Sequence, residues 1–267
     1  MAESNHWLRE CDGFLLDLDG TLYRGTEVIP HAKEFVEWLK RTGKNYLFVT
    51  NNSSRLPEQV AATLLDMGIP AEADRVFTSS QATVRYIQDH CRTEAPSVYA
   101  IGEEGLLAAL TEMGVQFEEE RPDYVVVGID RQFTYQKLLT ASLAIQRGAI
   151  FLATNADKRL PTEKGLLPGA GSLARAVAAA SGVEPVWIGK PEARMIQYGM
   201  QRIGTSPGRT VVIGDNLETD ILAGHNAGIR SVLVLTGYSS RQDAAAADCQ
   251  PDLIVEDLAE LLAMMQM

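Results

Sequence analysis

The sequence predicts an α/β protein, a parallel sheet with helices on both faces, into which a second α/β domain is inserted. Three observations predict it. Short, near-continuous apolar runs recur along the 267 residues, as strands buried on both faces require. Stretches with apolar residues at helical spacing alternate with them. The residues suited to chemistry lie toward the two ends of the chain, and a middle stretch repeats the strand–helix pattern without them.

The elements follow in order. Gly13–Leu18 is an apolar run that contains Asp17 and gives way to Asp19. The next stretch carries Ala32, Phe35, Val36 and Leu39 on one helical face, and Gly43 stops it. Tyr46–Val49 reads as a strand, followed by a helix from Pro57 to Met67 that Gly68 ends. In the middle, Ser97–Ile101, Tyr124–Gly128 and Ile150–Ala153 read as strands, with helical stretches after the first two. Val211–Ile213 and Ser231–Leu235 are two further buried strands. No Pro/Gly/Ser-rich linker marks a boundary, so the chemistry sets it: residues 1–80 and 185–267 form one domain, with 81–184 inserted as the second.

Charge and composition exclude several classes. The chain carries 35 acidic and 24 basic side chains, a formal charge of −11, so it gains little from counterion release and is not expected to bind a nucleic-acid polymer. No apolar run approaches the roughly 20 residues that span a bilayer, and MAESNHWLRE at the N-terminus has no apolar h-region. Neither a membrane partner nor export is expected. Cys11, Cys91 and Cys249 form no C-x-x-C, and His6, His31, His90 and His225 offer no ligand pair. That suits a reducing cytoplasm better than a disulfide framework or a zinc site.

Three polar turns follow apolar strands. In Asp17-Leu18-Asp19-Gly20-Thr21, strand alternation points both carboxylates the same way, where they repel unless a cation or a shared proton intervenes. Thr50-Asn51-Asn52-Ser53 offers a hydroxyl and backbone N–H groups that can hold phosphate oxygens as the chain turns into a helix. Gly214-Asp215-Asn216, with Asp220 five residues after Asp215, is the third. Each also has a plainer reading: an Asp-Gly turn, an Asn-rich turn with a Ser cap, and an N-cap with an acidic first turn.

Lys190 precedes Pro191, which reads as the first position of a helix carrying Ile196, Gly199, Met200 and Ile203 on one face. A cation at a helix N-terminus is electrostatically misplaced and calls for an anionic partner, unless the side chain is simply solvated. Open α/β sheets bind ligands at the carboxyl ends of their strands, where all three turns sit. Together these groups suggest an anion held with Mg²⁺: carboxylates for the metal, N–H groups and a lysine for phosphate.

DLDGTLY at 17–23, TNN at 50–52, GKP at 189–191 and GDNLETD at 214–220 resemble, in order, the four motifs of the haloacid dehalogenase (HAD) superfamily. TNADKRLPTEKGLLPGAGSL at 154–173 is similar to a run in its NagD-like, 4-nitrophenylphosphatase branch, subclass IIA. The resemblance implies a Rossmann-like core with an α/β cap of C2 type between the second and third motifs. It implies an Mg²⁺-dependent phosphatase of small phosphorylated metabolites. Asp17 would be the nucleophile that becomes an aspartyl-phosphate, and Asp19 the general acid and base. Thr50, Asn51, Asn52 and Lys190 would serve the phosphate. Asp17, the Asp19 carbonyl and Asp215 would hold the metal, with Asp220 behind them. Relatives often carry Pro or Arg at Ala156 and Arg at Asn216, and neither departure removes a catalytic group.

Leu160, before Pro161, stands where relatives reach the leaving group. It either gives modest selectivity for a compact, partly apolar group or only packs the cap. Dimerisation through the cap is common in that branch and is the assembly the resemblance suggests. A phosphomutase would use the same Asp17–Asp19 pair, and a catalytically silent phosphometabolite sensor would keep the fold. A transporting ATPase is excluded by the missing spans. The GxGxxA string at Gly169, Gly171 and Ala174 follows Pro168 rather than a strand and lacks a downstream ribose acid, so it reads as a tight turn before a helix.

Overall fold

A computed structural model describes residues 6–162 and 165–266. Glu163 and Lys164, within the run at 154–173, lie outside the described residues, as do residues 1–5 of the N-terminal stretch. The chain divides into two compact units. One comprises residues 1–50, 58–77 and 190–267, and the other residues 51–57 and 78–189.

The first unit is built on six strands: β1 (Gly13–Leu16), β2 (Asn45–Thr50), β3 (Val76–Thr78), β4 (Thr210–Gly214), β5 (Arg230–Val234) and β6 (Leu253–Val255). Their order across the sheet is β6-β5-β4-β1-β2-β3. β1 pairs in parallel with β2 on one side and β4 on the other, and β5 and β6 continue the parallel run. All four residues of β1 and all five of β4 are buried, which explains why these strands read as unbroken apolar runs. Helix Ala32–Arg41 covers the sheet through Ala32, Phe35, Val36 and Leu39, the face its spacing predicts. Full burial of such side chains stabilises the fold by roughly 1.5–3 kcal/mol each.

Because the strand order reverses beside β1, the carboxyl ends of β1 and β4 form a topological switch point, the place where a doubly wound sheet opens a crevice. Asp17 and Asp215 are the residues that follow those two strands.

The second unit has its own five-stranded parallel sheet, in the order Val186–Trp187, Ile150–Ala153, Tyr124–Val127, Ser97–Ile101 and Gln116–Phe117. Helices Glu104–Met113 and Tyr135–Gln146 follow the first two middle strands, as expected. An antiparallel hairpin joins Arg159–Thr162 to Gly165–Pro168, with Leu160 opposite Leu167. Gly169 therefore does follow a strand, contrary to the sequence reading. The strand is one arm of a hairpin rather than part of a parallel βα unit, and Gly169 caps the helix Ala170–Ser181 as a turn residue. No helix among the described residues is long and apolar enough to cross a membrane.

Candidate active site

β1 ends at Leu16, one residue short of Asp17, so the alternation expected to align Asp17 with Asp19 stops before it reaches them. The backbone turns instead about Leu18, whose carbonyl accepts from the N–H groups of Thr21, Leu22 and Tyr23 at 3.2, 2.8 and 3.3 Å. The two carboxylates end in different surroundings. Asp17 points into a buried cluster, while Asp19 is exposed and accepts from Gly25 N–H at 3.5 Å. Although the residue is exposed, partial enclosure of its carboxyl raises it above its ordinary range, against the Gly25 N–H and Arg24.

The like charges that crowd Asp17 come from β4's side of the sheet. Carboxylate oxygens of Asp17, Asp215 and Asp220 lie within 4.8 Å of one another. Lys190 joins them: its Nζ donates to Asp17 Oδ1 at 2.5 Å, Asp220 Oδ1 at 2.6 Å and the Val49 carbonyl at 3.1 Å. Lys190 is thus neither solvated nor seated on a helix. The helix starts at Ala193, and Pro191 lies two residues before it in a turn, with a cis peptide to Lys190. The anionic partner that the sequence called for is a pair of carboxylates.

Asp220 stands where an acidic first turn was expected, in a π-turn over Leu217–Ile221 capped by Asn216, whose Oδ1 accepts from Glu218 N–H at 2.9 Å. Its Oδ2 accepts from Asn216 N–H at 3.2 Å while Oδ1 holds Lys190, so the plain structural role and the functional one share a single carboxylate.

Asp215 is confined from two sides. Tyr238 N–H donates to its Oδ2 at 2.6 Å. Gly20 has φ +89°, a conformation that side chains rarely adopt, and a Cβ on either Gly20 or Gly237 would collide with the Asp215 carboxylate. Thr236 Oγ1 donates to the Gly20 carbonyl at 2.7 Å, which ties the two glycine loops together. Sequence reasoning missed Gly237. The available signal was its place just after β5, at the same edge of the sheet.

Three carboxylates around one ammonium leave two negative charges in excess when all are ionised. The cluster records that imbalance. Burial drives Asp17 well above the carboxylate range, and Asp220 and Asp215 add to the effect, against Lys190. Asp215 is pushed up to about 7, first by burial and then by Asp220. Burial works against the Lys190 ammonium, but Asp17 and Asp220 overcome it and hold the group above its ordinary value. Buried oxygen donors in negative excess fit a hard divalent cation.

Thr50 ends β2, beside β1. The next helix begins only at Pro57, so Asn51 and Asn52 lie in an extended turn rather than at a helix N-terminus. Asn52 Oδ1 caps the turn, accepting from Ser54 N–H at 2.9 Å, Ser54 Oγ at 3.0 Å and Arg55 N–H at 3.2 Å. Asn51 donates its side-chain amide to Asp157. Leu160 is half-buried on its hairpin.

A family model described as haloacid dehalogenase-like hydrolase matches residues 14–116, and one described as HAD-hydrolase-like matches residues 187–261. The chain is 48% identical to 5'-nucleotidase YutF of Bacillus subtilis over 93% of its own length and 96% of that protein. It is 40% identical to an acid sugar phosphatase of Staphylococcus aureus, over 96% and 98% of the two chains. A 4-nitrophenylphosphatase from Thermotoga maritima superposes with a TM-score of 0.92 at 34% identity, over 98% of this chain and 100% of that one. NagD from E. coli K-12 does so at 0.88 and 30%, over 94% and 98%.

Proposed function

Since the chain belongs to the haloacid dehalogenase superfamily of hydrolases, in its NagD-like, 4-nitrophenylphosphatase branch, we propose that it hydrolyses small phosphomonoesters with Mg²⁺ through an aspartyl-phosphate on Asp17. One observation carries the reading: a buried carboxylate at the end of β1 shares Lys190 with Asp220 and lies beside Asp215 at the switch point of the sheet.

Asp17 and Asp215, with the Asp19 carbonyl, would hold the metal, and their oxygen-only, negatively overcharged donor set supports that role. When bound, Mg²⁺ supplies positive charge to the phosphoryl oxygens and to the two carboxylates. The remaining work falls to side chains. An Asp17 oxygen attacks phosphorus in line with the ester bond, which breaks as the new P–O bond forms. Asp19 gives its proton to the departing alcohol oxygen. Its carboxyl, raised by partial burial, suits a group that gives up a proton and takes one back. Asp19 then takes a proton from the water that attacks the phosphorus of the aspartyl-phosphate, releasing phosphate and restoring Asp17. Lys190, tied to Asp17 Oδ1, orients the nucleophile and offsets charge on the phosphate, with Asp220 fixing the ammonium from behind. Thr50 Oγ1 and the Asn51 N–H take phosphoryl oxygens. Asn52 serves the phosphate by shaping the turn it caps.

In this reading the inserted residues, 81–184 by sequence, are the cap. Leu160 on its hairpin gives modest selectivity for compact, partly apolar leaving groups. The relatives' names, a nucleotidase and a sugar phosphatase, bracket the substrates to try first. Three free cysteines are in keeping with a cytoplasmic enzyme.

The test is phosphate release from nucleoside monophosphates, sugar phosphates and 4-nitrophenyl phosphate, with and without Mg²⁺, for wild type and Asp17→Asn. Wild type with Mg²⁺ releases phosphate, and either change removes turnover by at least about four orders of magnitude. Turnover that survives both changes overturns the mechanism. Phosphate transfer between positions on one sugar without release would make the protein a mutase, and tight binding without turnover would make it a sensor.

A further inference from the structure

Asn51 is held more firmly than a turn residue needs. Its carbonyl accepts from Ser79 Oγ at 2.8 Å and from Asn155 Nδ2 at 2.7 Å. Its own side-chain amide donates to both Asp157 oxygens, at 3.2 and 3.1 Å. Asn155 Oδ1 closes the ring by accepting from Asp157 N–H at 3.1 Å. Ser79 is fully buried and Asn155 is 4% exposed, so these bonds form where water competes little.

The same group of residues fixes Gly189, the neighbour of Lys190. Its N–H donates to the Thr154 carbonyl at 2.8 Å. A Cβ there would come within 2.6 Å of both Asn51 Oδ1 and the Thr154 carbonyl. Side chains from 154–157 therefore pack against the residue after Thr50 and against the residue before Lys190.

A backbone N–H helps to bind a phosphoryl oxygen in proportion to how well its direction is set beforehand. With its carbonyl and its side chain both anchored, Asn51 keeps little freedom about its Cα, and the direction of its N–H follows. We propose that Asp157 and Asn155 are positioning residues for phosphate binding, acting through Asn51. The inference rests on the proposed phosphatase reading and adds two residues to it. It separates Asp157 from a direct contact with the leaving group, because its effect is exerted on the part that all substrates share.

The experiment measures kcat/KM for 4-nitrophenyl phosphate and for a nucleoside monophosphate, and the inhibition constant of inorganic phosphate. Wild type, Asp157→Ala, Asn51→Ala and the double variant are compared, with melting curves to establish folding. Asp157→Ala weakens phosphate inhibition about 10-fold and lowers kcat/KM for both esters by one common factor. Asn51→Ala does the same, and the double variant loses no more than either single one. Asp157→Asn, which keeps an acceptor for the Asn51 amide, recovers most of the loss. Where Asp157→Ala does not fold, Asn155→Asp carries the test. It keeps the acceptor for Asp157 N–H and removes the donor to Asn51, and it weakens phosphate inhibition likewise.

Unequal factors for the two esters would make Asp157 a leaving-group contact and overturn the inference. So would single losses that multiply in the double variant, or unchanged phosphate inhibition in an active enzyme. A wild type that releases phosphate from no ester overturns the phosphatase reading, and this inference with it.

Discussion

Lys190 Nζ lies 2.6 Å from Asp220 Oδ1, and both side chains are almost wholly enclosed, at 3% and 1% exposure. Asp220 belongs to a turn that also bonds Asn216 N–H, so the counter-ion of Lys190 is part of the backbone scaffold after β4. The ammonium reaches Asp17 already oriented.

Removing that counter-ion is therefore expected to be costly. Asp220→Ala removes one of the two carboxylates that hold the enclosed Lys190 and leaves Asp17 at hydrogen-bond distance. The expected loss of stability is roughly 3 kcal/mol, read from chemical denaturation. The milder Asp220→Asn, which keeps an oxygen for Asn216 N–H, loses less stability but still lowers kcat. Equal stability of wild type and Asp220→Ala would show that the pair does not hold the turn.

If Asp215 holds the metal as proposed, metal binding and pH are coupled through it. Its carboxyl has an ordinary value of 3.8 and is pushed up to about 7, mainly by burial. Between those values the folded protein binds a proton that the unfolded chain has lost, so this group's contribution to stability falls as pH rises through the window. In the proposed site Mg²⁺ would bind the deprotonated form and remove the penalty. At one fixed concentration, a hundredfold above its dissociation constant at pH 8, Mg²⁺ should raise Tm by about 5 °C or more at pH 8, and by clearly less at pH 5, where protonation of Asp215 weakens binding. Asp215→Asn should flatten this dependence, as differential scanning calorimetry would show.

Gly237 offers a way to disturb the proposed metal site without changing a proposed ligand. A Cβ there meets the Asp215 carboxylate, so Gly237→Ala must push that carboxylate aside. The Mg²⁺ concentration giving half-maximal activity should rise about 10-fold or more. At saturating Mg²⁺, kcat recovers further than in Asp215→Asn. An unchanged Mg²⁺ requirement would mean that the loop yields and the carboxylate does not.

Cys11 gives a control outside the site. Burial pushes its thiol up to about 11, against Lys44, and its Sγ donates to the Trp7 carbonyl at 3.4 Å. The thiolate is the reactive form, so a disulfide reagent at pH 8 should label Cys91 and Cys249 in the folded protein and spare Cys11 until denaturant is added. Mass spectrometry of the labelled peptides would settle it.

Much of this was legible in the sequence for a specific reason. Strands buried on both faces must be apolar throughout, so β1, β2, β4 and β5 show in the letters, and the polar residues after them mark the carboxyl edge. What stayed hidden depends on where the chain turns. Alternation was used to align Asp17 with Asp19, but the strand ends at Leu16 and a turn about Leu18 takes its place, so that argument does not reach them. Helix-dipole reasoning gave Lys190 an anionic partner, yet its identity follows from a pairing across 173 residues that no local pattern reports. Asn155 and Asp157 sat in a run noticed only for its likeness to relatives, because their partner Asn51 lies more than 100 residues away.

That separation bears on how the protein is made. β1 and β2 leave the ribosome early and can pair at once, but β1's other edge accepts β4, which begins only at Thr210. Until then the growing chain carries an open, apolar strand edge, the kind of surface on which nascent chains cross-associate. Asp17 meanwhile lacks the Lys190 and Asp215 groups that cluster with it in the folded chain. A product truncated before residue 210 keeps Asp17 but lacks the strand that would close the sheet beside it. Such N-terminal fragments are expected to be captured by chaperones rather than to retain activity.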